Sequence, residues 1–538
     1  MHIAPRPADL PEIIVSVDLE DMTNEAIAAL AKDSRVYQRS GSLVGVVTVH
    51  NGPTKRPQKI RRADGAVVIR ALAPPTVRER MAASATWLKY DGRKKDHVRV
   101  LPPEAVVGTV CARGEWGGVR PLVAVATAPC LKPDGTVMQT PGYDADTATL
   151  YWPSDSYVAV SENPSRDDAK GALEAIREIV CDFPFAKPEH ESAWIAGLLT
   201  MFARPAIDGP CPLFAVDATT RGTGKSRLVD AAVRLCTGID APRTSLPDDD
   251  DEMRKRISAL MLEGDPAVCL DNITRKIALP SLDAVLTGTT WKDRLLGSTA
   301  TFSAPARAVW WATGNNVELG GDLGRRTLHI RLESPLENPE ERTGFKHPDL
   351  LRWVSDNRTR LVASALTILR AYTLSGDRYE GRLWGSFEEW SQLVPAALVW
   401  CGAPDPLEAR ASAEATMDDE KRTLTVLIDG LARLSKDSGP ITARTMLEAL
   451  YPDRSAYDEP APKDGYDELR DAIEQETRSQ PGRRPEARRL GKWLQRVRGR
   501  VVQGRRVMRD ASNDHSATWY VEGTRGGESG SPGSATPQ

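Results

Sequence analysis

The sequence predicts an α/β protein of several domains, and three observations carry that expectation. A short apolar run, Leu213–Val216, leads into a small-residue loop and then a helical pattern from Gly224 that Gly238 closes. Three more apolar runs of strand length follow, Ala267–Leu270, Ala308–Thr313 and Thr327–Leu332. From about Thr416 the composition changes to helical patterns followed by a dense basic segment.

The 538 residues correspond to about three or four domains of ordinary size. A hydrophobic content of 41% and a charged content of 27% are those of a globular protein. The net charge of −3 gives no global basic field, so contact with nucleic acid has to come from a local patch. Seven cysteines, at 111, 130, 181, 211, 236, 269 and 401, form no CxxC pair, which reads as a reduced, metal-free, cytosolic chain. No run reaches membrane-span length and MHIAPRPADLPE has no apolar signal segment, so a cytoplasmic location is expected.

Residues 1–164 read as a mixed α/β region for docking or partner binding. Strands are expected at Ile13–Val17, Leu43–Val49 and Val67–Ile69, with a helix over Asn24–Lys32 capped by Thr23. The acids of Val17-Asp18-Leu19-Glu20-Asp21 could pair on a metal, but they also suit a helix N-terminus, the preferred reading. Asp134-Gly135, between alternating segments, marks a hairpin. From Ser165 to Arg204 two helices are expected, one from Asp167-Asp168 through Val180 and one from Glu191-Ser192 through Phe202.

The loop Thr219-Thr220-Arg221-Gly222-Thr223-Gly224-Lys225-Ser226-Arg227 ends as a phosphate-binding loop does. Backbone N–H groups at a helix N-terminus wrap phosphates, a lysine reaches the terminal ones, and a hydroxyl ligates magnesium. Thr219 stands where the GxxxxGK[ST] frame has its first glycine. Asp271-Asn272 follows the second strand, where a magnesium-orienting aspartate belongs. Asn315, after the third, is positioned to meet a γ-phosphate, and the pair Arg325-Arg326 precedes the fourth. The four aspartates at 248–251 read as a helix cap on a solvated face rather than a metal cluster.

This ordered set, ATTRGTGKS, AVCLDN, LDAVLTGTTWKDRLLG, VWWATGNN and GDLGRR, resembles the superfamily 3 helicases of the AAA+ class, especially the ATPase half of phage, plasmid and integrative-element primase-helicases. The resemblance implies an AAA+-type P-loop ATPase core over residues 165–410, with ATP and Mg2+ as cofactors and a ring, a hexamer as in that family, as the expected assembly. It implies that Ser226 and Asp271 hold magnesium and that Arg326, or else Arg325, enters a neighbouring subunit's site. It also implies that Lys292 and Arg294 lie on a hairpin that meets single-stranded DNA in a central channel. Asn272 occupies a position where an acid would help activate water, and an amide accepts no proton at neutral pH.

Residues 416–523 read as a C-terminal winged helix: helices over Met417–Ser435, Ala443–Leu450 after Thr442, and Arg488–Val497, then strands Arg500–Arg509 and Ala517–Val521. Between Arg483 and Arg509 there are eleven Arg or Lys against the single Glu486. Arg488, Arg489, Lys492, Arg496, Arg505 and Arg506 are the candidate duplex DNA contacts, the alternative being ion pairing with the acidic stretch Asp464–Glu476. Residues 524–538 are expected to be a disordered tail. The expected function is a DNA helicase or translocase in mobile-element replication. The alternative is an ATP-regulated DNA-binding switch, loader or scaffold for a separate primase.

Overall fold

The computed structural model describes residues 10–51, 59–218, 220–274, 276–295, 299–315, 317–320, 322–336, 339–436, 439–452, 465–477, 479–480, 482–510 and 517–523, with the side chains of 411–421 left aside. The chain is a mixed α/β protein with two compact units, one up to Ala411 and one from Ser412.

At the centre of the first unit is a five-stranded parallel sheet. Its strands are β1 (Leu213–Ala218), β2 (Arg243–Thr244), β3 (Ala267–Ile273), β4 (Val309–Asn315) and β5 (Thr327–Leu332), in the spatial order β2-β3-β4-β1-β5. All six residues of β1 are buried, as a parallel strand covered on both faces requires. Helix α1 (Lys225–Thr237) packs on the sheet through Leu228, Val229, Ala232 and Leu235, and Gly238 ends it at φ 85°. The predicted runs at 267, 308 and 327 are all strands of this sheet. The two-residue edge strand β2 was not anticipated, since it is too short to leave a periodic signal.

The helices at Arg166–Val180 and Pro188–Ala203 cover one face; the first is closed by a Ser165/Asp168 capping box. Within the second, a Cβ on Gly197 would run into the Trp311 ring and lie 3.0 Å from Phe214 Cδ1, so only glycine permits this close approach to β1 and β4. The other face is filled by Met253, Ile257 and Leu260 of the Asp250–Glu263 helix, capped by Asp249. Helices Leu350–Asp356, Arg358–Ser375 and Glu388–Trp400 complete the unit.

The N-terminal region has strands at Glu12–Ile14, Ser42–Thr48 and Val67–Ala71. Its first helix is longer than predicted, Leu19–Leu30, and is capped by Asp18, which accepts from Asp21 N at 3.0 Å. Thr23 lies inside it and turns its hydroxyl back onto Leu19 O at 2.7 Å, so it is not the cap. Asp134-Gly135 does turn a hairpin between Cys130–Leu131 and Val137–Met138.

The second unit contains helices Ala411–Ser435, Ala443–Leu450, Asp467–Thr477 and Ala487–Val497, and an antiparallel sheet ordered Ile441–Thr442, Thr518–Gly523, Arg505–Asp510, Val501–Val502. Leu490, Trp493, Leu494 and Val497 recur at helical spacing and enter its core. The predicted single strand over Arg500–Arg509 is instead a tight hairpin: Gln503 and Gly504 both take positive φ, 49° and 71°, which suits a two-residue turn. The acidic helix Asp467–Thr477 was missed because its charge masks a weak apolar stripe. The tail 524–538 lies outside the described residues.

His329, in β5, is partly buried, and desolvation pulls its pKa from 6.5 to about 4. The unfolded chain therefore takes up this proton first. The stability it protects is complete above about pH 6.5 and is lost as pH falls toward 4, by up to about 3 kcal/mol. Denaturation at several pH values in this window should show the loss, and His329→Leu should flatten its slope.

Candidate functional site

The C-terminal ends of β1, β3 and β4 meet at one edge of the sheet, the edge at which open α/β sheets bind ligands. Register places Ala218 beside Asn315 and Leu270 beside Ala312. Thr219 lies outside the described residues. Gly222 and Gly224 take φ values of 78° and 85°, and the N-terminus of α1 starts at Lys225. A Cβ on Gly222 would collide with Glu340, and one on Gly224 would meet Phe183 Cε1 at 2.9 Å. Both glycines are therefore demanded twice, by conformation and by space.

The Lys225 ammonium is held by its own loop, donating to Thr220 O and to Thr223 Oγ1, each at 3.1 Å. Burial lowers its pKa below the ordinary value, and Asp217 opposes that effect. Arg221 and Arg227 are exposed on either side. Ser226 Oγ lies 3.3 Å from Asp271 Oδ1.

Asp271 and Asn272 sit where the β3–β4 register shifts, between Leu270 and Ile273, and Asn272 has a φ of 55°. This irregularity is tied down by Thr313, whose hydroxyl donates to Asp271 Oδ1 at 2.8 Å and accepts from Asn272 N at 3.0 Å. Arg243, the first residue of β2, pairs with Asp230 at 2.5 Å and lies 3.6 Å from Asp271 Oδ2. Sequence reasoning missed both roles. Thr313 had a signal, a lone hydroxyl at the end of an apolar strand, whereas Arg243 had none.

Thr220 Oγ1 and Asn315 Oδ1 are buried at this edge without hydrogen-bond partners among the described residues, and native proteins seldom leave such groups unspent. The Thr220 hydroxyl can donate to a phosphate oxygen, whereas Asn315 Oδ1 can only accept, as from a water. A divalent cation fits the oxygen pair of Ser226 and Asp271. Asp217 under the loop is buried, pairs with Arg331 and accepts from Val317 N at 3.1 Å.

The other candidates lie elsewhere. Arg325 and Arg326 precede β5, whose first residue is level with Leu213, the first of β1. They are thus about 20 Å, six strand residues, from the phosphate-loop edge. Arg326 is largely covered: it donates to Asp283 O at 2.6 Å and lies 3.3 Å from the carboxylates of Asp283 and Asp322. Arg325 is 68% exposed, with Asp322 as its ion-pair partner.

Lys292 and Arg294 project from a hairpin of Thr290–Arg294 with Thr301–Pro305. Strand alternation turns Trp291 and Asp293 inward, where Asp293 takes Arg254 and Ser258, and leaves Lys292 and Arg294 exposed without ion pairs among the described residues. In the second unit Arg488 and Lys492 are exposed and likewise unpaired. Arg489 lies 3.7 Å from Glu486, Arg496 pairs with Glu476, Arg505 with Asp429 and Arg506 with Glu522. Of these pairs, only that of Arg496 with Glu476 falls in the acidic stretch 464–476.

No protein-family model and no curated protein matches the chain. Among solved structures it is similar to the apo C-terminal region of NrS-1, at 12% identity, covering 80% of this chain and 92% of that one with a TM-score of 0.32. It is also similar to the active helicase Cch of SCCmec type IV (10%, 75% and 83%, TM-score 0.28) and to the JCV helicase (11%, 44% and 67%, TM-score 0.20). At these scores the likeness carries no functional argument, and the site itself has to supply one. No helix among the described residues is long and apolar enough to cross a membrane.

The Asp217–Arg331 pair should matter to folding first. Arg331→Met strands a buried carboxylate and should cost about 2 kcal/mol, less than a fully buried pair because Arg331 is 29% exposed. Asp217→Asn combined with Arg331→Met should recover part of that loss in denaturant unfolding.

Proposed function

We propose that the chain is an ATP-driven DNA motor of the superfamily 3 helicase type, with a P-loop ATPase core and a C-terminal winged helix. The observation that carries this reading is the convergence of Lys225, Ser226, Asp271 and Asn315 at the ends of three adjacent parallel strands, around two unspent buried polar atoms.

ATP would lie against the N-terminus of α1, with its phosphates in the loop of residues 219–226. The loop's N–H groups and the helix dipole favour the anion there. Lys225 has only loop oxygens to leave, so its ammonium exchanges two neutral acceptors for phosphate oxygens. Ser226 and Asp271 would hold Mg2+, which when bound neutralises charge between the outer phosphates. Thr313 keeps Asp271 aimed at that point, and Arg243 screens its far oxygen. Asn315 presents an unspent amide oxygen beside the loop, an acceptor suited to the attacking water.

The finger arginine belongs to Arg325 in preference to Arg326. Both are too far from their own phosphate loop, so a finger from either acts on a neighbouring subunit, and Arg325 is the one whose side chain is exposed. The ring this requires would pass DNA by the Lys292/Arg294 hairpin, and duplex would meet Arg488 and Lys492. Replication of a phage, plasmid or other mobile element, with a separate primase as partner, is the setting proposed.

A second reading is favoured by Asn272. It stands at the bulge where an acid would activate water, so a nucleotide-gated DNA-binding switch or loader with slow turnover has a specific basis. Strand displacement on a forked duplex with ATP separates the two readings: unwinding supports the motor, whereas nucleotide-dependent binding without unwinding supports the switch.

Lys225→Ala should lower ATP hydrolysis by about 100-fold or more at unchanged thermal stability. Unaltered hydrolysis would remove the site assignment. Arg325→Ala should lose about 1,000-fold in hydrolysis while keeping nucleotide binding, and should regain part of it in rings mixed with Lys225→Ala. Arg326→Ala should chiefly destabilise the Asp283 contact. If Arg326→Ala rather than Arg325→Ala shows the rescue, the assignment reverts to Arg326.

A further inference from the structure

A partly open cavity lies at the opposite edge of the parallel sheet, against the N-terminal region. Its volume of about 360 Å³ is within the size range of small-molecule sites. Pro242, Pro266 and Ala308, which directly precede β2-side, β3 and β4 residues, form its floor, and the strand Ala124–Ala126 forms a wall. The lining is mostly apolar.

Three arginines line this space, and two of them, Arg39 and Arg204, have only 6% and 7% of their surfaces exposed. Neither of these two has a carboxylate partner among the described residues. Arg39 donates to Leu122 O at 2.9 Å, Val123 O at 2.5 Å and Met261 O at 2.7 Å. Arg204 donates to Ile207 O at 2.6 Å and Ala306 O at 3.1 Å. In each the Nε donor is buried and unspent.

The aspartates that share the lining are committed to other cations. Asp265 pairs with Arg62 at 2.5 Å, Asp208 with Arg307 at 3.4 Å and Asp146 with Lys132 at 3.4 Å. Glu389, close enough to act on Arg204, accepts from Gly209 N at 2.7 Å. The balance is therefore two buried guanidinium groups in excess. Burial alone draws Arg39 from 12.5 to about 10, and it lowers Arg204 as well.

A buried cation without a counter-charge is costly, and a polar donor left unspent adds to the cost. An apolar wall of small side chains, Ala66, Ala124 and Ala126 among them, leaves room that larger residues would have filled. A site with excess positive charge and apolar walls suits one kind of ligand. We propose that this cavity binds a small carboxylate with an apolar body, its carboxylate toward Arg204 and its body along the Ala124–Ala126 strand. The site is separate from the phosphate loop, and the proposal does not depend on the function assigned there.

The test uses three eight-carbon probes of matched shape, octanoate, 1-octanol and octylammonium, titrated calorimetrically into the full chain. Octanoate should bind at one saturable site, at least about tenfold more tightly than octanol, and octylammonium should not bind. Ala126→Phe, which fills the cavity, should weaken octanoate at least about tenfold, and Ala124→Val serves the same purpose if the larger side chain prevents folding. Arg204→Met should reduce the preference of octanoate over octanol. The proposal fails if octanoate does not bind, if it binds no better than octanol, or if a folded cavity-filling variant keeps the parent's affinity.

Discussion

The structure depends on the burial of strand β1. It is hydrogen-bonded in parallel to β4 on one edge and β5 on the other, and all six of its residues are inaccessible. Once it is central, the loop that leaves it must emerge between the ends of its neighbours, and the helix that follows has to begin there. Gly197 lets a helix close directly over β1 and β4, so the strand's depth and the position of the loop come from the same packing. Asp217 is the polar element that this depth requires to be paired, and Arg331 and Val317 N satisfy it.

Arginines bound to backbone carbonyls join the N-terminal region to this core. Arg39 reaches from its strand to Met261 O, Arg358 reaches Leu235 O and Cys236 O while also holding Ser154 and Asp155, and Arg62 pairs with buried Asp265. Guanidinium forks suit such multi-acceptor contacts, and their planarity fixes direction as well as distance. That explains why residues up to Ala411 form one compact unit. The same device leaves Arg39 and Arg204 short of counter-charge beside a cavity.

Positive charge is divided between structural and free roles in a way that a count cannot reveal. Of the basic residues on the Ala487–Val497 helix and its hairpin, Arg496, Arg505 and Arg506 are spent on acids, while Arg488 and Lys492 are not. A similar sorting separates Arg325 from Arg326, two adjacent residues of identical chemistry. The turn at Leu323–Arg326 directs one to solvent and the other onto Asp283.

The sequence by itself determined the strands and helices of the core, because apolar runs bounded by Gly, Asp and Asn report local periodicity and turn chemistry directly. It also singled out Lys225, Ser226, Asp271 and Asn315, whose positions follow from where strands end. It did not reach β2, the Gln503-Gly504 turn that divides Arg500–Arg509, or the helix Asp467–Thr477, where short length or charge hides the pattern. Tertiary structure alone decided that Thr313 braces the Asp271 bulge, that Arg243 stands behind it, and that Arg325 is open while Arg326 is held. Those facts depend on residues far apart in the sequence, 28 positions for Arg243 and Asp271 and 42 for Thr313 and Asp271, or on which side of a turn a side chain leaves, and neither leaves a trace in local pattern. The cavity beside Arg39 and Arg204 belongs with them, since it exists only where segments distant in the sequence meet without filling the space between them.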